Sequence, residues 1–328
     1  MGNDNMKSKR ILITGATGFV GSNITRYFFD NKSEVGVLYP EGDNTWRIND
    51  ILDEVSVFAA DLRDKEQLHK VISEFKPQII IHAAIYGGFV YQKDTDRIMK
   101  TNFQGTVNLL DACSQIDYEL FINTGSSSEY GTKSLPMKED DLLEPVTDYA
   151  ISKSAATLYA QALNRRENKP IVTLRLFSPF GYYDESTRLM PSVILSCLQG
   201  DDPKVSAPKY VRDFVFIEDV ISAYVKAIKN KDKIKGEIFN VGSGKEHSIG
   251  EVVDKIIVIS KSGVNAQWGQ TPNSRFEPEV WQADISKAHR LLGWEPKYSL
   301  EQGIEKTIDW LKSNMHLYDK AVIEDKIK

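Results

Sequence analysis

Residues 11–21 constrain this chain more than any other stretch. The apolar run Ile11-Leu12-Ile13 leads directly into Thr14-Gly15-Ala16-Thr17-Gly18-Phe19-Val20-Gly21, and an amphipathic pattern (Ile24, Tyr27, Phe28) follows. A short buried strand, three glycines spaced three apart and a helix together make a cradle for the pyrophosphate of a dinucleotide. Gly15 permits the tight turn, Gly18 keeps a Cβ from standing between backbone and phosphates, and Gly21 lets the helix pack close to the strand. Free N–H groups and the positive end of the helix dipole then hold the anion. Thr17, Phe19 and Val20 lie within the same turn and are candidate cofactor contacts with the glycines.

Apolar strand-like runs at 10–14, 34–39, 55–59, 78–82, 119–124 and 171–176 alternate with helical patterns near 18–31, 64–75, 95–115 and 146–167. Such alternation predicts an α/β fold with a doubly wound parallel sheet. Past residue 177 the alternation breaks. Residues 187–199 and 214–229 look helical, and Ile238-Phe239-Asn240-Val241 is expected to rejoin the main sheet. The predicted division is a Rossmann domain from 8–177 plus 213–242, a smaller discontinuous substrate lobe from 178–212 plus 243–315, and a charged tail at 316–328. Ligands of such sheets bind outside the carboxyl ends of the strands, so the cleft between the lobes is the expected site.

With 328 residues and a net charge of −5, the chain has no basic field to recruit nucleic acid. No apolar run approaches a membrane span, and the polar first ten residues lack the apolar region of a secretory signal. A cytoplasmic enzyme without membrane partners is expected. Cys113 and Cys197 sit in apolar helical patterns and read as reduced core thiols. No cluster of residues suggests a metal site.

Tyr149 and Lys153 are four apart in a helical stretch, which puts them on one face. The strand Leu120-Phe121-Ile122-Asn123 runs into Thr124-Gly125-Ser126-Ser127-Ser128-Glu129-Tyr130-Gly131, bringing hydroxyls to a strand's carboxyl end. A tyrosine hydroxyl ordinarily titrates at roughly 10. A neighbouring ammonium favours the phenolate and lowers that value. The phenol can then exchange a proton with an alcohol or carbonyl near neutrality, while a serine hydroxyl donates to the same oxygen. Hydride would move to or from a nicotinamide held on the glycine turn.

From about residue 10 to 312 the chain resembles the extended short-chain dehydrogenase/reductases, in particular the nucleotide-sugar epimerase/dehydratase group. The resemblance rests on the glycine turn, Asp61-Leu62, His82-Ala83-Ala84, Asn102, the serine-rich turn ending in Tyr130-Gly131, Tyr149/Lys153 and Arg212-Asp213-Phe214. It continues through Asn240-Val241-Gly242-Ser243-Gly244, Ala283-Asp284 and Leu292-Gly293-Trp294. It implies that Tyr149 and Lys153 are catalytic and contact the cofactor. It also implies that Asp61 and Leu62 meet the adenine, that Ala83 and Ala84 line the cofactor, and that Asn102 braces it. His82 reads as a satisfied core histidine. Counting back from Tyr130-Gly131, the hydroxyl donor falls on Ser126. If the chain has lost one residue there, the donor is Ser127 and Glu129 becomes a candidate base.

On the substrate side, the resemblance implies that Arg212 holds a diphosphate, with Arg275 as a second phosphate or ribose contact. Arg188 and Leu189 are candidates for the nucleotide end, Ser178 for the cleft wall and Tyr86 for the sugar, alongside Ser126 and Ser127. The cofactor is NAD or NADP. Tyr39 ends the second strand where NAD-using relatives carry Asp, which leans toward NADP with Arg47 as the 2′-phosphate clamp. The acids Glu41 and Asp43 in the same loop argue the other way. The leading reading is a C4 epimerase of a nucleoside-diphosphate sugar, acting through a transient 4-keto intermediate. The alternative is an NADPH-dependent reductase of a 4-keto-6-deoxy sugar nucleotide. A 4,6-dehydratase is disfavoured because Ser127 and Ser128 stand where it needs acids, unless Glu129 takes that part. A dinucleotide-binding sensor is the non-enzymatic reading. The resemblance further implies a homodimer through a four-helix bundle built from the 95–115 and 146–167 helices.

Overall fold

The structure, a computed structural model, describes residues 7, 9–89, 91–270 and 280–318. Seven parallel strands form the central sheet: β1 (Arg10–Thr14), β2 (Glu34–Tyr39), β3 (Ser56–Ala59), β4 (Ile79–His82), β5 (Leu120–Ser126), β6 (Ile171–Leu176) and β7 (Ile238–Val241). Their order is β7-β6-β5-β4-β1-β2-β3. Residues 238–241 do rejoin the sheet, pairing Ile238 with Thr173 at its edge. The strand bounds agree with the sequence expectation to within a residue or two, because a sheet covered on both faces demands continuous apolar runs.

The pleat sorts those runs. Ile79 and Ile81 of β4 join one buried layer with Ile11, Ile13 and Ile122. Ile80 points the other way, into a layer with Leu12 and Phe121. Helix α1 (Phe19–Asp30) packs on the first layer and α2 (Lys65–Phe75) on the second. Asp64 caps α2, its carboxylate accepting from the Gln67 N–H, and Asp61 is instead paired with Arg63, whose Nε and terminal nitrogen donate to its carboxylate at 2.6–3.0 Å. Helix α3 spans 95–113, but six of its residues, Met99–Gln104, adopt π geometry. Helix α4 (Asp148–Glu167) starts at a Thr147 cap whose hydroxyl accepts from the Ala150 N–H at 3.1 Å.

β1 lies between β2 and β4, with Thr14 opposite His82. The connections leave β1 in both directions here, so this is the switch point of the sheet, and the carboxyl ends of β1, β4 and β5 open onto one crevice.

Two features differ from expectation. Residues 214–216, in the stretch whose pattern looks helical, form a short strand paired in parallel with Ser178–Phe180, and the helix α5 (Ile217–Lys229) begins only after it. The expected charged tail begins with a packed helical turn. Met315–Tyr318 forms a helical turn, and the Tyr318 hydroxyl donates to the Asp184 carbonyl at 2.8 Å. Cys113 and Cys197 are buried and unpaired. Among the described residues no helix is long and apolar enough to cross a membrane.

Candidate active site

The turn after β1 has the geometry a diphosphate needs. Gly15 sits at φ +69°, and a Cβ on it would stand 2.5 Å from the Ala84 Cα. A Cβ on Gly21 would lie 2.0 Å from the Gly15 carbonyl oxygen. Gly18 is different. A Cβ there would meet only that same oxygen, at 3.3 Å, so its remaining side is open. Helix α1 starts at Gly18 with no side-chain cap and no acid in its first turn. Its free N–H groups and positive end therefore suit a bound anion. A cleft of about 1140 Å³ opens from this turn and is large enough for a dinucleotide and a second ligand. Thr17, Phe19, Val20, Tyr39, Asp61, Leu62, Ala83 and Ala84 all line it.

The candidate reactive groups approach from β5 and α4. Ser126, Ser127 and Tyr149 line the same cleft. Ser126 ends β5 and caps the helical turn Ser127–Tyr130, its Oγ accepting from the Ser128 N–H at 3.2 Å. Tyr149 lies in the first turn of α4 against the glycine-rich turn after β4; a Cβ on Gly87 would be 3.6 Å from the tyrosine Cβ. One helical turn on, Lys153 is enclosed, with 1 % of its surface exposed. Burial pulls the Lys153 ammonium down to about 8, and the nearby Glu129 carboxylate partly offsets this. His82 is the satisfied core histidine expected. Its Nδ1 pairs with the Thr14 hydroxyl at 2.7 Å and its Nε2 with the Thr106 hydroxyl at 2.9 Å. Burial, helped by the Lys153 charge, lowers it to about 3, so the ring is neutral.

Several residues act otherwise than the sequence suggested. Glu129 does not face the cleft. It is fully buried; Oε1 accepts from the Ser126 N–H at 2.8 Å and Oε2 from the Arg175 Nε at 2.9 Å. A carboxylate so engaged is no acid or base for a sugar. Arg47 is also engaged: it donates to the Tyr183 carbonyl at 2.7 Å, the Thr17 carbonyl at 3.1 Å and the Glu185 carboxylate at 3.0 Å. Its guanidinium, stacked over Trp46, is part of the wall rather than a clamp held ready for a 2′-phosphate. Asn102 does not line the cleft; its amide is fully buried and braces the backbone around Tyr86. Leu189 packs against the core under helix 189–199 and does not reach the cleft.

The far wall carries the remaining substrate candidates. Ser178, Arg188, Arg212 and Tyr86 line the cleft. Arg212 lies over the Trp281 ring, 5.3 Å from its centroid. Arg188 approaches the Asp184 carboxylate at 3.4 Å. Arg275 lies outside the described residues.

Two acids brace the walls of the cleft: Asp213, which the sequence marks only as the neighbour of Arg212, and Asp43, one of the two loop acids that argue against NADP. Asp213, fully buried, accepts from the Ser243 N–H and hydroxyl, the Gly244 N–H and the Ala283 N–H, at 2.5–3.0 Å. It ties the turn after β7 to the Trp281 segment, on which its neighbour Arg212 rests. The only sequence signal was its place beside that arginine. Asp43 in the loop after β2 lines the cleft and accepts from the Thr17 hydroxyl at 2.6 Å. It stands four residues past Tyr39, the end of β2.

A profile of the NAD-dependent epimerase/dehydratase family matches residues 11–242. A putative UDP-glucose 4-epimerase of Methanocaldococcus jannaschii is 28% identical over 320 residues, covering 93% of this chain and 99% of its own. The dTDP-glucose 4,6-dehydratase 1 of Escherichia coli is 26% identical, with 95% of each chain covered. Among solved structures, the UDP-glucuronic acid 4-epimerase of Bacillus cereus in complex with UDP-glucuronic acid and NAD superposes with a TM-score of 0.83. That pair is 27% identical, covering 93% of this chain and 99% of the other.

Proposed function

Because the chain belongs to the NAD-dependent epimerase/dehydratase family, we propose that it inverts C4 of a UDP-sugar by oxidation to a transient 4-keto sugar and re-reduction. The observation that carries this reading is one cleft lined by Ser126, Tyr149 and an uncapped, glycine-opened helix N-terminus, with the Lys153 ammonium buried one turn behind the phenol.

NAD, when bound, supplies the hydride acceptor for C4–H and returns the hydride to the ketone. The protein handles the proton. Lys153 favours the phenolate of Tyr149. That phenolate takes the proton from the sugar 4-hydroxyl as hydride leaves C4, and returns it to the 4-oxygen after the keto sugar has presented its other face. Ser126 donates to the 4-oxygen throughout and favours the form in which that oxygen carries more charge. Inversion requires the keto sugar to turn over while its diphosphate stays held. Arg212, seated on Trp281 in the segment that Asp213 ties down, is the anchor, since a guanidinium suits two phosphate oxygens at once. Arg188 supports the nucleotide end.

Two observations favour this over the related reactions. A 4,6-dehydratase needs a free acid beside the hydroxyl donor, and Glu129 is engaged with Ser126 and Arg175. An NADPH-dependent reductase needs a cation for the 2′-phosphate, and Arg47 is engaged with Tyr183, Thr17 and Glu185. Asp43 is an acceptor suited to a ribose 2′-hydroxyl, so the cofactor in this reading is NAD. The enzyme is cytoplasmic and works as a homodimer through α3 and α4, whose outer face leaves Ile151 and Leu158 exposed.

The test is interconversion of C4 epimers, with UDP-glucose/UDP-galactose and UDP-glucuronate/UDP-galacturonate offered to the purified protein with NAD. Turnover of one pair, lost by at least about a thousandfold in Tyr149→Phe with NAD binding retained, is expected. Failure to convert any pair, or full activity in Tyr149→Phe, removes the reading.

A further inference from the structure

Beneath the serine turn lies a charged network that exchanges no proton with the sugar. Glu129 bridges two elements: one carboxylate oxygen accepts from the Ser126 N–H, and the other accepts from the Nε of Arg175 near the carboxyl end of β6. Both ends of this ion pair are enclosed, with 0 % and 2 % of their side chains exposed. Arg175 is held further by the Glu139 carbonyl at 3.3 Å and by the face of Tyr130, 4.6 Å from its centroid. The Tyr130 hydroxyl in turn donates to the Asn240 side chain at 2.6 Å. Replacing a buried pair of this kind with apolar side chains is often neutral or stabilising, so stability alone is weak ground for having it. Its geometry offers another. The same carboxylate closes the reciprocal cap in which the Ser126 hydroxyl accepts from the Ser128 N–H. It thereby fixes both the main chain and the side chain of the serine that faces the cleft.

We infer that Glu129, held by Arg175, is a positioning residue: it locks the turn so that the Ser126 hydroxyl is presented to the substrate oxygen in one orientation. This rests on the epimerase reading for what Ser126 does, but not for how it is held. A hydroxyl free to swing would meet the 4-oxygen in only a fraction of encounters. The loss would then appear in turnover rather than in binding of the sugar nucleotide, whose diphosphate is held elsewhere.

The experiment compares two paired substitutions. Glu129→Leu with Arg175→Met removes the pair and the cap without stranding a charge. Glu129→Gln with Arg175→Gln removes both charges but keeps an oxygen to accept from the Ser126 N–H. Amide hydrogen exchange is read across 120–131 in the NAD-bound protein, and kcat and KM are read on the C4 pair the parent converts. In the Leu/Met protein, exchange at Ser126 and Ser128 is expected to accelerate while 120–123 stays protected. Its kcat should fall about tenfold or more, with KM within about twofold. The Gln/Gln protein should recover most of both. Parent-like exchange or parent-like kcat in a folded Leu/Met protein overturns the inference. So does a matched loss in the Gln/Gln protein, or failure of both to fold, either of which makes the pair a structural element. A parent that converts no C4 pair defeats the epimerase reading instead, while the exchange data still decide whether Glu129 locks the turn.

Discussion

Asn102 brackets the backbone of Tyr86. Its side-chain oxygen accepts from the Tyr86 N–H at 2.7 Å, and its amide nitrogen donates to the Tyr86 carbonyl at 2.7 Å and to the Ser152 hydroxyl at 2.9 Å. One amide thus joins the turn after β4 to the helix carrying Tyr149 and Lys153. In Asn102→Ala the Tyr86 N–H and carbonyl lose these partners, at a cost of about 2–3 kcal/mol. Thermal unfolding should show the melting temperature of that variant several degrees below the parent, and an unchanged value would mean that the bracket contributes nothing.

Gly21 and Gly18 should fail in different ways. In Gly21→Ala the methyl would lie 2.0 Å from the Gly15 carbonyl oxygen, backbone that cannot yield without opening the turn. That variant should be poorly folded or strongly destabilised. In Gly18→Ala the nearest atom is 3.3 Å away and the residue has φ −80°, so the fold should survive. The new methyl would instead occupy the space over the helix N-terminus. NAD affinity should fall about tenfold or more by titration calorimetry while the melting temperature stays near the parent's.

The sheet and the chemical core of the site were legible because each has a dense local signature. Ile79-Ile80-Ile81 must be a doubly covered strand, and Tyr149 and Lys153 must share a helix face. What could not be read depends on distance along the chain. Whether Glu129 faces the cleft is decided by Arg175, 46 residues on, whose guanidinium draws it inward. Arg47 looked available because its partners, Tyr183 and Glu185, come from a loop more than 130 residues away. The π segment Met99–Gln104, which carries Asn102, has no pattern that separates it from an ordinary helix. Local spacing reveals residue types suited to a reaction. Which of them are already engaged is a property of the tertiary packing.

Arg47 and Asp43 should therefore separate in their effects. Arg47→Ala breaks a largely buried ion pair and two hydrogen bonds to carbonyls. It should cost about 3 kcal/mol of stability and leave the preference between NAD and NADP unaltered. Asp43→Asn keeps a partner for Thr17 but removes the charge from the cleft. It should weaken NAD by about tenfold and NADP by much less, since a 2′-phosphate gains when a carboxylate is removed. Direct binding measurements on the two variants decide both points. A switch of preference in Arg47→Ala would restore the clamp that the hydrogen bonds argue against.

Lys153 sets a pH dependence whose direction follows from its burial. Its folded value, about 8, lies below the ordinary lysine value of 10.5. Below pH 8 the folded and unfolded chains both hold the proton, and the cost of burying the ammonium is fully present. Between about 8 and 10.5 the unfolded chain holds more protons than the folded one, so this residue's contribution makes stability rise with pH across that window. Turnover should move the opposite way. As pH rises through about 8 the ammonium discharges, and the phenolate of Tyr149 loses the charge that favours it. The expected result is a kcat that declines on the alkaline side with a midpoint near 8, over a range where denaturant unfolding shows no loss of stability from this residue. Lys153→Met should abolish that residue's stability increment and reduce turnover at every pH. If the alkaline decline persisted unchanged in the residual activity of Lys153→Met, another group would be responsible for it.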